Sequence, residues 1–356
     1  MIAASAVAPA AVRRPPAWLI ILVLLFLLIA AIVAAAMTGA AGIPAGRLID
    51  AMFGLSSGGE FERDRLILWS IRLPRIVMAM IVGGMLAAAG AIMQGLFRNP
   101  LADPSLVGVS SGAGLAAAAT IVIGDRYLSG FAGQMPVEAL PLAAFVGALV
   151  ATYALYRLAT RDRRTSIAIF LLGGIAIAAL ANSGIGLLVF AADDRQLRDV
   201  TFWLLGSLAG ATWSKAAAIA PALLVVAAVI GFLARGLDLL VLGEAEAFHA
   251  GVSVQRLKVG AIVVVAAATG AAVSVSGIIG FVGIVVPHLL RLMIGPGHRL
   301  LLPASILLGA ALLLFADTAA RTIAAPAEIP IGIITAAIGA PFFLVMLLRQ
   351  RSLATL

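Results

Sequence analysis

The sequence contains no cysteine, only three histidines and only two lysines. Without cysteine the chain can form no disulfide bond, no thiolate metal site and no iron–sulfur cluster. The histidines stand apart, which excludes the HExxH pattern of zinc proteases. Neither lysine follows the glycines of a GxxxxGK phosphate-binding loop, so if the protein uses ATP, another subunit binds the nucleotide.

Charged side chains are also scarce, at 11% of 356 residues, whereas 63% of the residues are hydrophobic. A soluble chain of this length would form about two domains, but this composition is that of a polytopic membrane protein. The net charge of +8 is scattered among apolar runs rather than gathered in one patch, so nucleic-acid binding is not expected. The predicted fold class is all-α, with membrane-spanning helices.

Stretches without Asp, Glu, Lys or Arg locate the spans, because a spanning helix needs about 20 apolar residues. The stretch 259–290 is too long for one helix, and Gly277, Gly280, Gly283 and Pro287 can break it, so we divide it into two helices, the second short. This gives ten spans, with 200–214 left over as a re-entrant or interfacial segment. The charge-free stretches are 15–46, 76–97, 104–124, 139–156, 165–192, 216–234, 259–290, 300–316 and 329–348.

The N-terminal tail, residues 1–16, precedes an apolar run that is too long for the hydrophobic region of a signal peptide. We interpret this run as a retained first span. Placing the tail in the cytoplasm puts most basic and few acidic residues on that side, in agreement with the positive-inside rule. Ten spans then place both termini in the cytoplasm. Residues 17–350 are expected to form a single ten-helix domain, and residues 351–356 a second cytoplasmic tail.

Small residues recur inside the spans at small-xxx-small spacing, for example within 84–95 and at Gly206 and Gly210, which predicts close helix packing. Carboxylates are nearly absent from the spans, and Asp317, the one candidate, lies near a helix end. An ion-coupled secondary transporter, which would need a titratable group in its path, is therefore disfavoured. An intramembrane protease is disfavoured as well, because no serine in the spans has an evident base partner.

The connection 235–258, between the sixth and seventh spans, contains a short amphipathic helix on the cytoplasmic side, for which we predict the range 239–253. Two roles fit this helix: a coupling helix that seats in a groove of a partner ATPase, or an interfacial helix on the membrane. Its polar face is acidic, whereas membrane-surface helices are usually basic, and this favours the protein partner. The predicted coupling residues are Leu242, Gly243, Glu244, Ala245, Phe248, His249 and Gly251.

Five blocks of sequence follow one another along the chain. They are RLPRIVMAMIVGGMLAAAGAIMQGLFRNPLADPSLVGVSSGAG from Arg72, FWLLGSLAGATW from Phe202, LGEAEAFHAGV from Leu242, GIIGFVGIVVPHLLR from Gly277, and the segment from Ala316 to Phe343 that ends in AEIPIGIITAAIGAPFF. In this order they resemble the permease subunits of the iron-siderophore, haem and cobalamin ABC importers. They cover nearly all of the chain after the first span and lie on the sides that the predicted topology gives them.

The resemblance implies a homodimer of ten-helix, cobalamin-permease-like subunits in the inner membrane, with the ligand path along the dimer interface. Two ATPase subunits would bind beneath it, and a periplasmic binding protein would deliver the ligand. It also implies that Arg72, Arg75 and Arg321 face the periplasm and receive acidic residues of that binding protein. The predicted topology agrees, because it places all three at outer helix ends, where they could attract an acidic partner.

The resemblance further implies a cytoplasmic gate formed by two loops. Asn99 and Leu101 belong to the first, RNPLADP, whose prolines would stiffen it and prevent the helix from continuing. Thr165 and Ser166 belong to the second. An ordinary N-cap of the following helix is an alternative role for these two residues, and both roles can hold together.

The transported ligand is the least constrained part of the prediction. The segment QLRDVTFWLLGSLAGATW looks most like the haem permeases, so haem is the expected ligand, with ferric siderophore and cobalamin as alternatives. Haem would be cargo rather than a permanent cofactor, since a tight iron ligand would hinder release from a channel. The chain is expected not to be an enzyme, because ATP hydrolysis would belong to the partner subunits. It is also expected to hold no metal.

Overall fold

The computed structural model describes residues 15–39, 43–55, 58–124, 139–162 and 164–354. Most of the predicted N-terminal tail, residues 1–14, lies outside these ranges, whereas residues 351–354 of the predicted C-terminal tail continue the last helix. The predicted all-α class is confirmed: the only sheet in the described ranges is a hairpin that pairs Thr160 and Arg161 with Thr165 and Arg164. The helices are α1 Ala17–Met37, α2 Ala45–Phe53, α3 Gly59–Ile67, α4 Leu73–Phe97, α5 Val109–Ala119, α6 Ala139–Ala159, α7 Ile167–Phe190, α8 Asp194–Leu205, α9 Trp213–Val241, α10 Glu244–His249, α11 Val254–Ser276, α12 Val282–Ile294, α13 His298–Ile323 and α14 Ile331–Ala354.

Ten of these elements correspond to the predicted spans. Eight helices of the described chain are long and apolar enough to cross a membrane, and α3 and α4 count as one of them because they are continuous. The other two spans are the shorter apolar helices Val109–Gly124 and Val282–Ile294. A spanning helix satisfies its own backbone hydrogen bonds, which explains why nearly all the described chain is helical.

The first two spans differ from their predicted bounds. The stretch 15–46 does not form one helix, since α1 ends at Met37 and a separate helix begins at Ala45. The second span begins far earlier than residue 76, because Gly59–Phe97 is continuous over 39 residues and a five-residue π-helical turn, Leu68–Arg72, joins its two parts. The charged residues before residue 76 mark the end of the apolar run, but the helix continues through them. A helix of 39 residues is about 58 Å long and extends well beyond a bilayer core of about 30 Å.

The leftover segment 200–214 contains the end of an amphipathic helix, α8, which begins earlier than predicted. Asp193 caps it by accepting hydrogen bonds from the amides of Arg195 and Gln196, and the Gln196 side chain accepts the amide of Asp193 in return. Gly206, with a φ of +73°, ends the helix. The helix-packing motif predicted at Gly206 and Gly210 is therefore wrong, because both glycines lie in the turn after α8.

The predicted division of the stretch 259–290 is confirmed. Helix α11 ends at Ser276, Gly277 has a φ of +66°, and α12 begins at Val282. Phe281 adopts a φ of +67°, which is unusual for a residue with a bulky side chain. Gly339 of α14 makes room for it, since a Cβ atom there would lie 2.3 Å from the Phe281 Cβ atom.

Helix α4 occupies the centre of the bundle, with 89% of the most apolar part of its span buried, against 22% for α6, α7, α9 and α14. Its small residues bring neighbouring backbones into contact, and the close packing predicted for the range 84–95 extends back to Gly83. A Cβ atom on Gly90 would lie 1.9 Å from the carbonyl oxygen of Gly283, and one on Gly83 would lie 2.3 Å from that of Gly309. Helices α12 and α13 therefore pack directly on the α4 backbone.

Gly90→Ala is expected to destabilise the protein by about 1–3 kcal/mol, because the methyl group must push α12 away from α4. Gly260→Ala on α11 is the matched control, since its Cβ atom would meet no atom within 4 Å. That change should leave stability unchanged or raise it by up to about 1 kcal/mol through helix propensity. Thermal unfolding of the purified variants in detergent measures both effects, and equal midpoints would contradict the packing argument.

Candidate functional sites at the two ends of the bundle

Two groups of polar side chains lie at opposite ends of α4. At its start lies the arginine cluster, which consists of Arg72, Arg75, Asp317, Arg321 and Glu328. We call the opposite end the coupling end. There Gly95, in the last turn of α4, lies against the ring of His298. The Nδ1 atom of His298 lies 2.7 Å from Asp238 Oδ1. Asp238 is in the last turn of α9, shortly before α10 begins.

Arg75 is held between two carboxylates. Its Nη2 atom lies 2.9 Å from Asp317 Oδ1, and its Nη1 and Nη2 atoms lie 2.9 Å from the two carboxylate oxygens of Glu328. The side chains of Arg75 and Asp317 are only 9% and 2% exposed, whereas that of Glu328 is 40% exposed. Buried charges of this kind persist only when they are paired, so the guanidinium joins α4, α13 and the segment before α14.

The other two arginines cap the C-terminus of α1. Arg321 donates to the carbonyl oxygens of Thr38 and Ala35 at 3.2 and 3.4 Å, and Arg72 donates to that of Ala36. The last carbonyl groups of a helix lack partners within it and carry partial negative charge, which makes guanidinium groups suitable caps. Arg321 also contacts the Asp317 carboxylate at 3.1 Å, four residues earlier on α13.

The structure brings together Arg72, Arg75 and Arg321, the three arginines that the resemblance singled out, and each of them bonds to groups within the chain. Arg72 and Arg75 lie where the π-helical turn joins α4, inside the continuous helix Gly59–Phe97, and Arg321 lies in the last turn of α13. The sequence reasoning missed their carboxylate partners. The four-residue spacing of Asp317 and Arg321 on one helix face could have indicated that pair, whereas Arg75 and Glu328 are 253 positions apart and leave no local signal.

Asp317→Asn is expected to destabilise the protein by about 3–5 kcal/mol, because two guanidinium groups lose the carboxylate that neutralises them in a buried site. Glu328→Gln should cost about 1 kcal/mol or less, since that side chain is partly exposed. Thermal unfolding midpoints in detergent compare the two variants. A Glu328 variant as unstable as the Asp317 variant would show that burial of the carboxylate does not decide the effect.

At the coupling end, the predicted first gate loop is held by its own side chains. Asn99 Oδ1 accepts the amide of Leu101 at 2.9 Å, and the amide of Asn99 donates to the carbonyl of Gln94 in the last turn of α4. Asp103 accepts the amide of Ser105 at 2.7 Å and so caps a short 3-10 turn. The loop is therefore fixed at both of its ends.

The second predicted gate loop is the hairpin 160–165, and Thr165 is its most buried described residue, at 6% exposure. Gln255 of α11 clamps this threonine: Gln255 Nε2 donates to Thr165 Oγ1 at 2.8 Å, and Gln255 Oε1 accepts the Thr165 amide at 3.2 Å. Ser166 accepts the amide of Ile169 at 3.4 Å. The N-cap interpretation is therefore confirmed for Ser166, while Thr165 belongs to the strand before it.

The two predicted gate loops do not bond to each other within the described residues. The 3-10 turn Pro104–Val107 packs against α7, the helix that Ser166 begins, and against α11. The two loops are thus connected through neighbouring helices rather than by direct hydrogen bonds.

The predicted coupling helix exists but is shorter than 239–253. Helix α9 continues to Val241, α10 covers Glu244–His249, and Gly243 and Gly251, with φ values of +127° and +84°, flank it. The prediction was too long because the apolar pattern of α9 continues without a break into that of α10. On α10, Ala247 is buried, whereas Phe248 is 69% exposed, as is Leu242 just before the helix. An apolar face therefore points away from the bundle.

Helix α10 is also tied to the bundle by an ion pair that the sequence reasoning did not foresee. The ammonium of Lys258, on α11, lies 2.8 Å from Glu244 Oε1 and 3.2 Å from the carbonyl oxygen of Thr165. The Lys258 side chain is only 5% exposed. The lysine has no local signal in the sequence, since it lies 14 and 93 positions from its partners.

Comparison with known proteins identifies the family. The FecCD transport family matches residues 26–349. The chain belongs to this family. Among curated relatives, the hemin transport system permease protein of Yersinia pestis is 46% identical, with 79% of this chain and 83% of that protein aligned. The cobalamin import system permease protein of Halobacterium salinarum is 44% identical, with 89% and 82% aligned.

A third relative, the Fe(3+)-citrate import system permease protein of Bacillus subtilis, is 40% identical, with 87% of this chain and 88% of that protein aligned. Among solved structures, a metal-chelate type ABC transporter in an inward-facing conformation superposes with a TM-score of 0.78 at 30% identity, covering 93% of this chain and 99% of that one. The predicted resemblance is confirmed: this FecCD protein is an ABC importer permease, a multi-pass membrane protein and a transport subunit rather than an enzyme.

Proposed function

We propose that this FecCD permease moves haem from a periplasmic binding protein across the inner membrane into the cytoplasm. The observation that carries the ligand assignment is the 46% identity to the hemin permease of Yersinia pestis over most of both chains. Haem is the cargo in this proposal, and the permease holds no permanent cofactor. Its propionates would be met transiently by cationic side chains along the path.

Cobalamin is the second candidate, and one observation favours it. The cobalamin permease of Halobacterium salinarum is 44% identical and aligns with a larger share of this chain, 89% against 79%. Ferric citrate or another iron chelate is supported in the same way, at 40% identity. The three ligands differ strongly in size and charge, so a transport measurement separates them.

We assign the working unit as a homodimer with two ATPase subunits at the coupling end and both termini in the cytoplasm. Two features of the single chain support this assembly. The apolar residues Leu180, Leu187 and Phe190 of α7 are 72–90% exposed, so lipid or a second subunit must cover them. Phe248 and Leu242 beside α10 are also exposed and offer an apolar contact for an ATPase groove.

Reconstitution provides the test of the ligand. The permease is placed in lipid with its ATPase, and ATP hydrolysis is measured with binding protein loaded with haem, cobalamin or a ferric siderophore. Haem-loaded binding protein is expected to stimulate hydrolysis and to deliver haem into the vesicles, and the other two are not. Stimulation by another ligand would overturn the haem assignment alone, and failure of any ATPase to associate would overturn the importer assembly.

We further propose that the arginine cluster receives the binding protein, as the sequence resemblance implied. Arg75 lies between the carboxylates of Asp317 and Glu328, and the buried Asp64 attracts Arg72. Because Glu328 is 40% exposed, it is the carboxylate of the cluster that a docking partner could displace from Arg75.

Glu328→Gln is therefore expected to strengthen the binding protein's attachment, lowering Kd by on the order of tenfold, the effect of removing one competing charge-assisted hydrogen bond. Glu62→Gln is the matched control, because it removes the same charge from exposed α3 at the same end without touching Arg75. Surface plasmon resonance at two salt concentrations measures both. An equal change of Kd in the two variants would show that only the net charge of this end matters, and it would contradict docking at Arg75.

A further inference from the structure

Three segments meet at one ammonium group at the coupling end. Lys258 Nζ donates to Glu244 Oε1 at 2.8 Å and to the carbonyl oxygen of Thr165 at 3.2 Å. Glu244 belongs to α10, Thr165 to the hairpin 160–165, and Lys258 to the second turn of α11. The exposed helix proposed to contact the ATPase and the hairpin predicted as part of the gate are therefore linked through one side chain.

The second link is Gln255, three residues before Lys258 and on the same face of α11. Its amide group bonds both the backbone amide and the hydroxyl group of Thr165. Together the two side chains engage the amide, the carbonyl and the hydroxyl of this one threonine. A residue held at all its polar atoms cannot shift independently of α11 without leaving buried polar groups unpaired, which is costly.

Burial makes the lysine sensitive to the position of both neighbours. The side chain of Lys258 is 5% exposed, so water cannot replace a lost partner easily. Displacing α10 by more than about 1 Å would stretch the Glu244 bond beyond hydrogen-bond distance unless α11 and the hairpin followed. The geometry thus favours movement of the three segments together.

We propose that Lys258 and Gln255 form a relay that transmits displacement of α10 to the gate hairpin at Thr165. The inference rests on the proposed function, in which an ATPase moves α10. Lys258 is a positioning residue here, because it acts on Thr165 and does not touch the transported ligand. The relay requires donors at position 258, since the carbonyl oxygen of Thr165 can only accept.

The chain without cysteine offers a clean background for measuring hairpin movement. Arg164, beside Thr165, is exposed, so Arg164→Cys can be modified by a maleimide in the complex with the ATPase, with and without ATP. In the Arg164→Cys variant, ATP is expected to change the rate at which the maleimide reacts with the introduced cysteine. Lys258→Met, which keeps the length of the side chain but not its donors, should reduce that change about tenfold, the effect of losing one charge-assisted hydrogen bond.

Three further variants separate a relay from a simple ion pair or a loss of charge. Lys258→Arg keeps the donors and should retain the ATP-dependent change. The swap Lys258→Glu with Glu244→Lys restores the ion pair but places an acceptor against the Thr165 carbonyl, so it should fail. Arg256→Met removes the same charge from the exposed side of α11 and should have no effect.

The outcomes are distinguishable. If no ATPase binds the unaltered permease, the proposed function fails. If ATP changes the labelling rate of Arg164→Cys equally with and without Lys258→Met, or if the charge swap restores the response, the relay is wrong while the importer stands. Should Lys258→Met not assemble, Gln255→Leu tests the second link by the same readout, and an unchanged response there overturns the relay.

Discussion

The contact of α4 with the backbones of α12 and α13 is the constraint on which the rest of the molecule depends. Apolar side chains give helices no reason to associate in lipid, so close approach through glycine provides the packing. Gly83 and Gly90 allow that approach, and the two ends of the same helix then determine where the polar groups meet. Arg75 near its start reaches Asp317 on α13, and Gln94 near its end donates to the carbonyl of Gly283 on α12.

The buried charges of this bundle that the structure describes lie at its two ends, where they join elements to one another. Asp317 holds Arg75 and Arg321, of which Arg321 also caps α1, and Lys258 holds α10 against the hairpin. A buried pair adds little net stability when it forms but costs much when one partner is lost. Such pairs therefore specify which elements move as a unit, a property that a transporter needs more than additional stability.

Features that depend on local sequence were predictable, and those that depend on distant partners were not. Apolar runs indicated ten spans, glycines indicated the break after Ser276, and the acidic amphipathic segment indicated α10. Helix bounds failed where charges lie beyond the bilayer core, as in α3. The partners of Arg75 and Lys258 lie far along the chain, and periodicity carries no information about such pairs. The sequence linked Arg72, Arg75 and Arg321 only through the resemblance to known permeases, which assigned the three arginines one shared role.

The identities of the relatives bear on where ligand choice resides. Permeases named for hemin, cobalamin and ferric citrate are 46%, 44% and 40% identical to this chain, so overall identity separates the three ligands by only a few per cent. The packed centre around α4 cannot vary much without clashes at Gly83 and Gly90. We therefore expect ligand choice to depend on lightly buried faces such as that of α7, or on the binding protein that we propose docks at the arginine cluster. Substitutions there, rather than in the core, should change which cargo is carried.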